Sequence, residues 1–211
     1  ERNGVSCFTD PGAPLTEMPT VSVVLAAFNA MKGCSAEYIM RFYKCGLSVF
    51  STEQLSELEN YTRLWNVGGR QWLNVWDMDP QGLVAENSTD SSDKLGEINS
   101  LREKAIAPIN RFKNSFKGNA QKRSTAIIAL LEECKAASSF IEICKELKKE
   151  GRLAQADALR QSWDMLIDIF DSLVNSFSDE EIEDEEYIFA FKTAASMASV
   201  GVAPQMLDEV S

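Results

Sequence analysis

Two charged stretches are where this sequence could do chemistry. Arg111, Lys113, Lys117, Lys122 and Arg123 lie close together, interleaved with Phe112 and Phe116. Cationic side chains at that density suit the phosphates of a nucleic-acid backbone, with the lysines acting as point charges. The same spacing also fits a solvated helix face and loop whose phenylalanines turn into a core. The second stretch is acidic, Asp179-Glu180-Glu181-Ile182-Glu183-Asp184-Glu185-Glu186. Clustered carboxylates can hold a divalent cation or act as an acid–base pair. A metal loop, however, needs ligands spaced around a turn and a glycine that lets it close. This run has no glycine and fits the start of a helix, whose partial positive charge it complements.

Much other chemistry is ruled out by residue type. The chain has no histidine, which removes Ser-His-Asp and Cys-His catalysis and the commonest metal ligand. It has no GxxxxGK[ST] phosphate loop, and its glycine pair, Gly68-Gly69, follows a helical pattern rather than a strand. The five cysteines Cys7, Cys34, Cys45, Cys134 and Cys144 are odd in number and contain no CxxC pair. They read as reduced thiols packed as small hydrophobes, not as a disulfide, zinc or iron–sulfur framework. A net charge of −11 and a pI near 4.6 argue against the chain binding nucleic acid as a whole, so any contact must be local.

The elements that would carry these groups are helical. With 211 residues, 45% hydrophobic and 25% charged, the chain can bury a sizeable core as one domain or two packed subdomains. It contains no apolar run long enough to cross a bilayer and no signal peptide, so a cytoplasmic setting is expected. Its first residue is Glu1 rather than Met, which reads as part of something larger.

Val5, Cys7 and Phe8 suggest a short strand, and Asp10-Pro11-Gly12 a turn. A helix should start at Pro19 and end at Lys32-Gly33. A second, capped by Ser35, should run to about Cys45 and bury some of Tyr38, Ile39, Phe42 and Tyr43. Ser51 with Gln54 forms a capping box for a third, with Leu55, Leu58, Tyr61, Thr62 and Trp65 on one face and Gly68-Gly69 as its breaker. Trp72 and Trp76 close that unit.

Residues 77–92 read as a polar surface loop with a turn at Asp79-Pro80-Gln81-Gly82. Its Asn87-Ser88-Thr89 triplet matters only in a secreted chain. Beyond it, Asp93 is expected to cap a helix that Pro108 kinks or breaks and that ends at Gly118. Further helices are expected over about 120–136 and 138–149. The latter should be capped by Ser138 or Ser139, with Phe140, Ile143, Cys144 and Leu147 on its buried face. A long helix over about 152–176, the most regular in period, is the candidate packing axis. Ser178 starts a new segment, and a last helix begins at Asp184-Glu185-Glu186 and ends near Ala198. The expected division is therefore a helical cluster over 1–76, the loop 77–92, a second helical part over 93–199 and an extended exit over 200–211. The fold class is all-α.

The order of certain residues says more than their periodicity. Tyr43-Lys44-Cys45-Gly46-Leu47, then Leu58-Glu59-Asn60-Tyr61, then Trp65-Asn66-Val67-Gly68-Gly69-Arg70 and Trp72 form a series. Upstream stand Phe8-Thr9-Asp10, Pro14-Leu15 and Met18-Pro19, and downstream runs Val202 through Val210. Together they resemble an internal segment of the B subunit of the bacterial AddAB (RexAB) ATP-dependent helicase–nuclease. Met18 and Cys45 stand where that family often has histidine and threonine.

The resemblance implies a helical accessory (2B-like) module of a UvrD-like helicase subunit, with about seven to eight helices and short extended ends. It implies a non-catalytic role in double-strand DNA break resection and recombinational repair, beside an A-subunit partner and DNA. Lys44, Gly46, Leu47, Leu58, Glu59, Asn60, Tyr61, Trp65, Gly68 and Trp72 are then structural motif residues. ATP, Mg and an iron–sulfur cluster would belong to other parts of the parent complex. The alternative is a helical module that docks the partner subunit without touching DNA.

Overall fold

The computed structural model describes residues 12–82, 89–177 and 179–201, with the backbone alone described at 89–91. The Val5–Phe8 strand, Ser178, the 202–210 run and residues 83–88 of the polar loop fall outside the described residues, and the end of the expected loop, 89–92, is already helical. Among those described, the fold is all-α, with eight helices and one two-stranded ribbon.

The chain leads in through strand β1 (Ala13–Pro14) and a single 3-10 turn (Leu15–Glu17). Helix α1 (Pro19–Gly33) starts with proline at its first position, where the missing N–H costs nothing. It ends when Cys34 turns left-handed, with φ 47°. Nine of its residues are buried, from Thr20 to Met31, and they surround the helix rather than lining one stripe. Helix α1 packs against α2, α4, α7 and α8 and is the centre of the fold. The regular period of residues 152–176 pointed to that stretch as the axis instead. A clean period marks an amphipathic helix with one wet face, whereas a helix apolar on all sides has no period to detect and lies innermost.

Helix α2 (Ala36–Tyr43) buries Ile39, Met40, Phe42 and Tyr43, leaving Tyr38 exposed. Ser35 stands at its start, but its side chain makes no capping bond. Gly46 follows with φ +85°, a left-handed turn that favours glycine. Helix α3 (Thr52–Leu64) opens with the expected capping box: Gln54 N donates to Ser51 Oγ at 3.3 Å, and Ser51 N donates to Gln54 Oε1 at 3.1 Å. It stops at Leu64, before the glycine pair, because Asn66 takes φ 48°. Gly68-Gly69 instead launches a second 3-10 turn (Gly69–Leu73).

Helix α4 (Thr89–Ser115) begins four residues before the expected cap Asp93, so Asp93 lies inside it, and it passes through Pro108 without breaking. Proline removes one backbone bond there. The neighbouring turn is pinned by the Tyr43 hydroxyl, which donates to the Ala105 carbonyl at 2.7 Å, and by the burial of Ala105, Ile106 and Ile109. Asn119 caps α5 (Ala120–Glu133) through Lys122 N. Helix α6 (Ala136–Lys149) begins two residues before Ser138, at a left-handed Lys135, with no serine cap. Its expected inner face, Phe140, Ile143, Cys144 and Leu147, is only half-buried.

Helix α7 (Leu153–Phe177) lies across α1, α5, α6 and α8, and α8 (Asp184–Ser196) closes the bundle. Strand β2 (Ser199–Val200) then pairs antiparallel with β1, Ala13 opposite Val200 and Pro14 opposite Ser199. One continuous buried cluster runs from Leu15 to Val200, with Phe28 at its heart, 5.6 Å from Phe116 and 5.4 Å from Phe191 between ring centres.

Candidate functional site

The motif residues fasten α2, α3 and the segment after them to one another. Glu59 on α3 accepts from Lys44 Nζ at 2.6 Å across the α2–α3 corner and from Arg63 at 2.8 Å one turn along. The Lys44 hydrogen bond is the main reason the Glu59 carboxyl is held below the usual carboxylate range. Tyr61 lies flat on Trp76, 4.7 Å between ring centres with planes 7° apart, and donates to the Met78 carbonyl at 3.0 Å. Trp65 donates to the Asp79 carbonyl at 3.0 Å. Trp72 is fully buried with its ring tilted against Trp76, and its carbonyl accepts from the buried Arg102 at 2.7 Å. Leu47 and Leu58 are core residues, and Asn60 is exposed. Gly68 bridges to Ser35 while Gly69 N donates to the Cys34 carbonyl at 3.0 Å. The polar atoms of Lys44, Glu59, Tyr61 and Trp65 thus all have partners within the chain.

The basic stretch is divided by the fold. Arg111 pairs with Glu133 beside a cleft of about 670 Å³ between α4 and the α5–α6 corner. Lys104 and Lys135, isolated in the sequence, line the same cleft. Lys113, Lys117 and Lys122 are exposed and do not line it. The Lys122 stem lies over Gly118, where an added Cβ would come within 3.0 Å of it.

Arg123 is only 3% exposed. Its guanidinium donates to the carbonyls of Phe116 at 3.0 Å, Gly118 at 3.1 Å and Ile182, pairs with Asp184, and sits 4.9 Å from the centre of the Phe116 ring. It is a buried clamp rather than a surface cation. The spacing that shows this is Ala120, Arg123, Ile127 and Leu130, which places Arg123 on the apolar stripe of α5.

The acidic run returns onto this same corner. Glu181 bridges to Asn119, Ile182 N donates to the Gly118 carbonyl at 3.3 Å, and Asp184 takes Arg123. Carboxylates therefore stand near Lys117 and Lys122, which offsets the field those lysines would present to a phosphate. Asp184, Glu185 and Glu186 occupy the first turn of α8 as their sequence suggested.

Among the described residues, no three His, Cys, Asp or Glu side chains converge to hold a metal ion, and Cys34, Cys45, Cys134 and Cys144 are free. Burial pushes the Cys45 thiol up to about 11 and the Cys134 thiol up to about 12, the reverse of what a thiolate ligand needs. These residues do not fit an iron–sulfur cluster. No described helix is long and apolar enough to cross a membrane.

No family model matches the chain. It is similar over nearly its whole length to curated proteins named as the B subunit of an ATP-dependent helicase/deoxyribonuclease. The protein of Clostridium tetani is 26% identical over 215 residues, covering 98% of this chain and 19% of the relative. That of Clostridium kluyveri is 27% identical over 96% of the chain, and that of Acetivibrio thermocellus 25% over 98%. The chain spans about a fifth of the length of these relatives.

Proposed function

From a chain that is homologous, almost end to end, to a segment of ATP-dependent helicase/deoxyribonuclease B subunits, we propose a non-catalytic structural module acting within such a subunit in double-strand DNA break repair. The observation that supports this most is the motif core. The side chains of Lys44, Glu59, Tyr61, Trp65 and Trp72, which carry the resemblance, hold α2, α3 and residues 66–79 together rather than facing a substrate. In this reading ATP, Mg and the iron–sulfur cluster act elsewhere in the parent complex, and the A subunit is the partner. The all-α fold agrees with a 2B-like accessory module, and the module lines part of the DNA path. Its backbone contacts would be Lys104, Arg111 and Lys135 around the cleft, with Lys113, Lys117 and Lys122 as a second exposed set.

The test is DNA binding by the full chain across a salt series, beside two variants. In one, Lys104 and Lys135 become Gln; in the other, Lys113, Lys117 and Lys122 do. Affinity that falls steeply with salt, and a shallower slope in one variant, would place that set on the phosphates. Hydrolysis of ATP or cleavage of DNA by the purified chain would overturn the non-catalytic role.

The second reading, a docking module without DNA contact, is favoured by one specific surface. The outer parts of α6 and α7 expose Ile141, Leu153 and Ile167 beside the half-buried pair Phe140 and Trp163. Changing Ile141 and Ile167 to Glu would then weaken subunit assembly and leave DNA affinity unchanged.

A further inference from the structure

Helix α1 is buried on most sides, but one stripe of it is left half-covered. Ser22, Leu25 and Asn29 stand at helical spacing and are only half-buried. With Ala26 they floor a trough of about 620 Å³ between α2 and α8. Arg41 and Cys45 form its wall on the α2 side, Lys192 and Ser196 its wall on α8, and Thr16 lines one end. Helix α8 is fastened to the floor at both ends. Lys32, one turn beyond Asn29, pairs with Glu185 in the first turn of α8 at 3.4 Å, and Leu15 N donates to the Ala198 carbonyl just past its last turn at 3.0 Å. The two helices therefore run antiparallel, and the floor from Ser22 to Asn29 is about 10 Å long, two helical turns.

Shape and charge select the kind of occupant. An open trough encloses too little of a small molecule, most of whose surface must be buried, but is the setting in which an amphipathic helix lays down its apolar face. Leu25 supplies apolar surface, as does the Cys45 thiol, which burial pushes up to about 11 and so keeps neutral. Ser22 and Ser196 are small enough for a neighbouring backbone to come close. Phe189 lies seven residues before Ser196, on the same face of α8, and at 73% exposed extends the apolar surface beyond that wall. The cations Arg41 and Lys192 stand on opposite walls, and no carboxylate lines the trough. Carboxylates stand just outside it: Glu17 beside Thr16, Glu37 paired with Arg41 at 3.3 Å, and Glu185. They repel a polyanion such as DNA, whose charge extends along its whole length. A helix with one carboxylate on each side of its apolar stripe meets both cations and brings no charge to the ends.

We propose that the trough between α2 and α8 is a docking site for an amphipathic helix of a partner polypeptide, its aliphatic stripe against α1 and one carboxylate toward each of Arg41 and Lys192. The site depends neither on a role in the DNA path nor on the α6–α7 surface.

The test uses the full chain and follows the fluorescence anisotropy of a dye-labelled peptide. The probe is a capped, side-chain-stapled helix with leucines at i, i+3, i+4 and i+7 and one glutamate on each side of that stripe, since a short helix is marginal in water unaided. Beside it stand the same peptide with lysine for both glutamates and a thymidine oligonucleotide. The expected result is saturable binding of the glutamate peptide, weakened about tenfold or more by Arg41→Glu with Lys192→Glu and by Ser196→Trp, which fills the trough. All three changes are at exposed positions, and circular dichroism checks that the fold is kept. No saturable binding of the glutamate peptide would overturn the proposal. So would equally tight binding of the lysine peptide, indifference to Ser196→Trp, or a preference for the oligonucleotide that the charge reversals abolish. Binding of the glutamate peptide should be unchanged in the Lys104 and Lys135 variant and in the Ile141 and Ile167 variant. Its loss in either would place the peptide on another surface and overturn the proposal, whereas a failure of the DNA-path reading leaves the peptide result untouched.

Discussion

Replacing Arg123 by glutamine should cost the fold about 3–5 kcal/mol, in the range measured when one partner of a buried charge pair is removed. The magnitude comes from what the guanidinium holds. Three backbone carbonyls, Phe116, Gly118 and Ile182, accept from it, and hydrogen bonds from a charged donor contribute about 1.5–3 kcal/mol each where water cannot replace them. The ion pair with Asp184 adds less, because that carboxylate is 53% exposed and screened. Asp184→Asn alone should therefore cost no more than ~1 kcal/mol. Lysine is the discriminating substitution: it keeps the charge but lacks the planar fork that reaches several acceptors at once. Arg123→Lys should lose most of what Arg123→Gln loses. Urea unfolding followed by tryptophan fluorescence measures each difference, and thermal melting should fall on the order of 10 °C for Arg123→Gln. A cost below about 1 kcal/mol, or full rescue by lysine, would refute the clamp. A loss of DNA affinity at unchanged stability would return Arg123 to the surface contacts.

Stability should also carry two pH signatures. The folded Glu59 carboxyl sits below its unfolded value, so its contribution is present above the ordinary carboxylate range and is lost as pH falls through the depressed value. Glu59→Gln should flatten the acid limb of the stability curve below about pH 4. Tyr187 is the opposite case: burial pushes its hydroxyl up to about 12, so the fold favours the neutral form. Its contribution is full below about pH 10 and is lost between there and about 12, a loss that Tyr187→Phe should abolish. The same substitution should cost about 1–3 kcal/mol at neutral pH by stranding the buried Ser124 hydroxyl, 2.7 Å from the Tyr187 oxygen. With an ordinary thiol reagent near pH 8, Cys134 should remain unlabelled in the native chain and react after unfolding, as quantified by mass spectrometry. Thr20→Val should cost about 1 kcal/mol in urea, since it removes the buried bond from α1 to Ser162 on α7 at 2.9 Å.

Local signals were legible wherever a single chemical rule applies. The Ser51–Gln54 box, Pro19 at the head of α1, the left-handed Gly46 and the acids at the start of α8 all stand where their residue types suggest. Misreadings arose where a distant neighbour decides. Pro108 stays within a helix because Tyr43, 62 residues before the Ala105 carbonyl it bonds, holds the adjoining turn. Lys135 adopts left-handed backbone that sequence would assign to glycine, so α6 starts two residues early, whereas α3 ends within a residue of where its pattern stops.

The site shows the same division. Arg123 looked like its basic neighbours because charge was counted along the chain, while its place on the apolar stripe of α5 was the better guide. Lys104 lies two helical turns before Arg111 on α4, a spacing the sequence does show, whereas Lys135 gave no signal, since only folding brings it to Arg111. The meeting of the basic and acidic stretches through Asn119 and Glu181 was likewise invisible, because nothing local links residues 119 and 181.

The antiparallel pairing of Ala13 with Val200 has a mechanical meaning. Gly12 and Gly201 leave the ribbon on the same side, and Gly12 comes so near the Val200 carbonyl that a Cβ there would lie 2.2 Å from it. Tension that draws the two flanks apart opens this ribbon one residue pair at a time, like a zip, rather than loading its bonds together. The first element to yield is then the ribbon, after which the pull reaches Leu15, whose N–H donates to the Ala198 carbonyl at 3.0 Å. The helices would feel such a load only after both fastenings had opened.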